Sequence, residues 1–252
     1  MLRSLLKDKA VLALLDEIES IIGYQIQCQK LPDSEFTKIG MPVDAPWIVL
    51  FPEPLTVIYA ESCASRLTDG ALAHELFHAQ LRLEGWPLLM VRPKMPAHQA
   101  WANMHIAVTL NNTFDHLEVF RRLESLGFAD HTQTMEAEAE SLLVAFEEGR
   151  WPPEWFFARI NAVALGMFPL FVLPCRQSLR TKCLEVLARS VYQAEVTQQI
   201  QQIAGLFENQ PAIGPDNYHP RAMEILKVIG LPEEGILLRH FPNRAGRPKG
   251  VL

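Results

Sequence analysis

The chain has 252 residues, 49% of them hydrophobic and 21% charged, with a formal net charge of -6 at pH 7. Such a composition buries a sizeable core, which excludes a disordered chain, and the acidic balance argues against a nucleic-acid binder held by a broad positive field. The four cysteines, Cys28, Cys63, Cys175 and Cys183, form no C-x-x-C pair, so reduced thiols in a cytoplasmic protein are expected rather than a disulfide scaffold.

In chain order, Leu2 to Ile22 has the apolar spacing of an amphipathic helix that stops at Gly23. Lys7, Asp8 and Lys9 interrupt its apolar pattern, which rules out the core of a signal peptide. Three short strand-like runs follow, YQIQCQ (24–29), WIVLF (47–51) and LTVIYAE (55–61), the last two placed to pair as a hairpin across PEP. Thr68 or Asp69 then caps a helix running to about Glu84, before Gly85 and Pro87.

Beyond it the spacing predicts one helix around 98–110, a second over NTFDHLEVFRRLESLG ending at Gly127, and then helix to the end of the chain. Those later helices are expected at 133–148, 154–173, 176–207 and 220–229. The uncharged run at 160–175 is shorter than the ~20 residues that span a bilayer, and it contains Gly166, Pro169 and Pro174. It reads as a buried segment, or as a surface for a protein partner in the helical C-terminal half. The expected fold is therefore α+β and predominantly helical, with a small early sheet packed on the central helix and a helical C-terminal lobe. A metal-binding lobe over 1–130 and a helical lobe over 131–252 would form one compact domain, with the metal in the cleft between them.

The chemistry concentrates in AHELFHAQ, residues 73–80. His74 and His78 are four apart, so on a helix both imidazoles point at one spot, and Glu75 reaches that spot from the side. This is the H-E-x-x-H arrangement, in which two histidines bind zinc and the glutamate serves as general base. A catalytic zinc needs a third protein ligand. On a helical wheel of 111–120, Asn112 falls at the centre of the face set by Val119, Phe120, Leu123 and Leu126, flanked by His116 and Asp115. His116 as ligand with Asp115 beside the site is the favoured order, and the reverse stays open. Glu136 and Glu138, in TMEAEAESLL with Glu140, form a rival source of a carboxylate ligand, although such a run reads first as a solvated acidic face.

The strand LTVIYAE leading through SRLTDGALAHELFHAQL resembles the zincin-type metallopeptidases, closest to small bacterial cytoplasmic zincins, over about residues 55–85. The NNTFDH segment is more loosely similar to an Asn-x-x-acid-His pattern in that group. The resemblance implies a zinc hydrolase acting on peptide or protein substrates, with His74 and His78 as ligands and Glu75 as base. Phe77 stands where many relatives carry glycine, and no third histidine extends the motif helix, unlike the metzincin branch. The oxyanion-stabilising donor stays open among His98, His105, His131, Tyr59, Tyr192 and Tyr218. The alternative is a catalytically inactive binding or regulatory protein on the same fold. An intact Glu75 favours the enzyme, because a structural zinc has no need of a base.

Overall fold

The computed structural model describes residues 2–38, 43, 45–50, 54–128, 140, 144, 177–188, 193–208, 212–231 and 235–240. The fold is α+β and predominantly helical, with a three-stranded mixed sheet early in the chain and a separate two-stranded sheet. No described helix is long and apolar enough to cross a membrane. The described residues form two compact units. One comprises residues up to Gly85 together with Val119–Phe128, and the other Trp86–Glu118 with the described residues from 140 to 240.

The first unit opens with a short 3-10 turn, Leu2–Leu5, and then helix α1, Lys9–Ile22. The sequence reads as one helix from Leu2, but Asp8 divides it. Its carboxylate accepts from the Ala10 and Val11 amides at 2.7 and 3.2 Å, satisfying two of the otherwise orphaned donors at a helix start. Val11, Leu14, Leu15, Ile18 and Ile22 form its buried stripe, and Gly23 ends it at φ 78°, a left-handed conformation that glycine adopts without a Cβ clash. The sheet has strand order β1-β3-β2, from β1 (Gln27–Leu31), β2 (Trp47–Val49) and β3 (Thr56–Ala60).

β3, rich in β-branched residues, takes the centre. It pairs parallel with β1, from Gln27 opposite Thr56 to Leu31 opposite Ala60, and antiparallel with β2, the hairpin expected across PEP. A short helix α2, Asp33–Lys38, buries Phe36 against Ile58, Ala60 and Cys63. Next comes α3, Asp69–Leu83, which packs against α1 and β2. Thr68 caps it, its hydroxyl accepting from the Ala71 amide at 3.1 Å. Leu72, Ala73, Leu76, Phe77, Ala79 and Leu81 are all buried, so α3 is a core helix rather than a surface one.

The second unit differs more from the expectation. A two-stranded antiparallel sheet joins β4 (Leu88–Val91) to β5 (Ile236–Arg239), which interrupts the all-helical reading of the later chain. Where two helices were expected over 98–127, there is one, α4, Ala97–Ser125. No glycine or proline lies inside it, and the Asn111-Asn112 pair, which looks like the start of a new helix, caps nothing. Instead Asn111 turns its amide onto β4, accepting from the Leu89 N–H and donating to the Leu89 carbonyl, both at 2.9 Å. Gly127, at φ 84°, ends the helix as expected.

The expected helix over 176–207 is described as two, α5 (Gln177–Ala188) and α6 (Gln193–Glu208). The helix expected at 220–229 is α7, Tyr218–Val228. Tyr218, fully buried, packs edge-on against Phe114 with ring centres 4.9 Å apart. The helices expected at 133–148 and 154–173 and the uncharged run at 160–175 lie outside the described residues, except for Glu140 and Val144, both helical and exposed.

Candidate metal centre

His74, Glu75 and His78 all lie on α3, whose first turn is fixed by the Thr68 cap. One helical turn brings the two imidazoles together: His74 Nε2 and His78 Nε2 are 3.1 Å apart, with ring centres at 4.9 Å. His78 and Glu75 are each 9% exposed, so the chemistry sits at the floor of the helix's buried face rather than on its solvent side.

Glu75 has its two oxygens committed differently. Oε2 accepts a 2.7 Å hydrogen bond from the Ile48 N–H of edge strand β2. Oε1 lies 3.9 Å from His74 Nε2 and so faces the imidazole pair. The carboxylate is thereby oriented by backbone on one side and by the imidazole pair on the other. Burial pushes its pKa up to about 7, while His78 and the Ile48 amide act the other way. A carboxyl held near neutrality can both take up and release a proton at physiological pH.

The third group comes from α4. His74, His78 and His116 each offer a ligand nitrogen, and these all lie within 4.8 Å of one another. Among the described residues no other set of histidine, cysteine, aspartate and glutamate side chains gathers in this way. Two features hold the end of α4 against α3. The Phe120 ring packs on the His74 ring at 6.0 Å. Arg122 Nη1 donates to Gln80 Oε1 and Glu84 Oε1, both at 2.7 Å, and its Nη2 to Glu84 Oε2 at 2.6 Å.

Of the two neighbours read as third ligand and companion, His116 joins the imidazole pair and Asp115 does not belong to the group. A residue further along a helix turns by about 100°, and that turn sends Asp115 inward, where it is 1% exposed. Its Oδ1 is 3.4 Å from the Tyr218 hydroxyl, which donates more closely, at 2.9 Å, to Asn111 Oδ1. Tyr218 is thus a core residue whose hydroxyl binds α4. Asn111, rather than Asn112, is the buried amide of this segment. The rival carboxylates Glu136 and Glu138 lie outside the described residues.

The three histidines could hold a metal ion. Three imidazoles with an open fourth position are a known catalytic zinc arrangement, and two nitrogens on one tetrahedral zinc at ~2.0–2.1 Å stand ~3.3 Å apart. The 3.1 Å between His74 and His78 falls close to that separation. The Ile48 amide, Phe120 and Arg122 escape a reading of the sequence, since each acts across elements distant along the chain. Only the shared spacing of six from His78 to Glu84 and from His116 to Arg122 hints at paired helix turns. Comparisons with protein-family models, with curated proteins and with solved structures returned no match.

Proposed function

We propose that the chain is a zinc-dependent metallopeptidase, a hydrolase of peptide bonds whose general base is Glu75. The observation that carries this reading is the convergence of three imidazoles, His74, His78 and His116, beside a buried carboxylate that has its own backbone anchor. The histidines would hold the ion. A bound zinc supplies Lewis acidity, which activates water and polarises a carbonyl. Glu75 Oε1 would accept the proton of the attacking water, a role supported by its facing the imidazoles. Once protonated, it would hand that proton on to the leaving amine. The Ile48 amide keeps Oε2 in place through both transfers, so the base does not have to find its orientation again.

The proposed location is the cytoplasm. Cys28, Cys63 and Cys183 are in no disulfide, which supports a reducing compartment. The zincin resemblance supports peptide bonds as the substrate class.

Metal analysis together with a peptide-library digest tests the proposal. Wild type is expected to carry one zinc per chain, and Glu75→Gln to keep it while turnover falls 10²-fold or more, a typical loss for a general base. His78→Ala and His116→Ala should lose both metal and turnover. Full zinc stoichiometry in His78→Ala would remove the site. Undiminished hydrolysis in Glu75→Gln would remove the mechanism.

A further inference from the structure

We propose that Arg122 is a positioning residue for the metal centre, acting through α4 to set where His116 stands. The inference rests on the metal reading of the three histidines and adds to it a residue that touches neither metal nor substrate.

The guanidinium makes three hydrogen bonds to the C-terminal end of α3, one to Gln80 within the helix and a two-pronged pair to its cap residue Glu84. Gln80 is two residues beyond His78 on that helix, and Glu84, six residues beyond, is the residue that caps its C-terminal end. Arg122 is six residues beyond His116 on an unbroken helix, so the rigid turns between them carry orientation from one to the other. The planar fork matters here, because a carboxylate gripped at both oxygens fixes direction as well as distance. Phe120 supplies a second point of attachment by packing on the His74 ring. Two attachments on different faces of α4 fix its rotation about its own axis, where one would leave it free to roll.

That rotation is what a metal site is sensitive to. Ligands have to be held within ~0.5 Å and 10–20° of the productive geometry. His74 and His78 satisfy this through α3 alone, being one turn apart on it. His116 cannot, and depends on whatever orients α4. The Arg122 side chain is 18% exposed and its Glu84 partner 41%, so the clasp lies at the rim, where its loss leaves the buried cores of both helices in place.

The test measures Zn2+ affinity of the full chain by competition with a chromophoric chelator, alongside thermal melts of the metal-free proteins. The proteins compared are wild type, Arg122→Gln, Arg122→Lys and Glu84→Gln. Arg122→Gln is expected to bind zinc at least tenfold more weakly at a temperature where it is fully folded. Arg122→Lys, which keeps the charge but not the fork, should fall between, and Glu84→Gln should shift in the same direction. A merely structural role would lower melting temperatures and leave affinity of the folded state unchanged. A folded Arg122→Gln that binds zinc within twofold of wild type overturns the proposal. Should that variant not fold, unchanged affinity in Glu84→Gln overturns it equally. Wild type that takes up no zinc overturns the metal reading and this inference together, whereas wild type binding one zinc with unaltered variants overturns the positioning role alone.

Discussion

Glu75 works against the stability of the fold that holds it. Burial raises its pKa from 4.5 to about 7. Below pH 4.5 the group is protonated in both folded and unfolded chains, and its environment costs nothing on this account. Between pH 4.5 and 7 the unfolded chain ionises first, so stability falls as pH rises, and the loss is complete above 7. The shift corresponds to about 3 kcal/mol. Metal-free Glu75→Gln cannot ionise and should therefore be more stable than wild type at pH 8, by up to that amount, with the gap closing towards pH 4.5. Urea unfolding at both pH values in excess chelator checks this, and a wild type that gains on the variant as pH rises would contradict it. At this scale the His74, Glu75 and His78 pattern is legible in the sequence because one helix generates it. The Ile48 amide is not, because a strand 27 residues earlier supplies it.

At the scale of elements, Asn111 ties α4 to β4. Its side-chain amide replaces a neighbouring strand, satisfying both the N–H and the carbonyl of Leu89, and its oxygen also receives the Tyr218 hydroxyl. Asn111→Ala would strand both Leu89 groups at once and leave the Tyr218 hydroxyl its longer bond to Asp115. With unsatisfied groups costing about 1–3 kcal/mol each and some relief from water entry, a loss of about 2–4 kcal/mol is expected. Chemical denaturation of the metal-free protein measures it, and a loss below about 1 kcal/mol would show that the bonds are replaced. The same residue explains why α4 reads as two helices. An Asn-Asn pair before a periodic run carries the signature of a cap, yet a polar side chain can equally leave the helix and bond a strand. Asp8 is the reverse case, a cap hidden inside a charged cluster and visible only once its carboxylate meets two amides.

For the molecule as a whole, the expected fold class stands because its signals are local: early β-branched runs and later helical spacing. The pairing of β4 with β5 is invisible for the opposite reason, since two four-residue strands separated by the whole second half of the chain leave no periodic trace. The zinc reading carries a consequence at this scale. A ligand that binds only the folded chain stabilises it by mass action, about 2.7 kcal/mol at a free concentration of 100 times Kd. Zinc should accordingly raise the melting temperature of wild type in a concentration-dependent way that a chelator reverses. His116→Ala should show a much smaller rise, and an equal rise in that variant would move the third ligand elsewhere.

The hydrogen bond between Ile48 and Glu75 has one more effect. Among the described residues β2 lies at the edge of its sheet, and an edge strand's outward N–H groups are an open template for the backbone of a second molecule. Glu75 occupies one of those groups, at the middle of a three-residue strand. The carboxylate proposed as general base thus also satisfies an amide that an edge strand would otherwise leave open. Glu75→Ala, which removes the acceptor, is expected to expose the Ile48 N–H and to raise the tendency to aggregate, which light scattering of the metal-free protein checks.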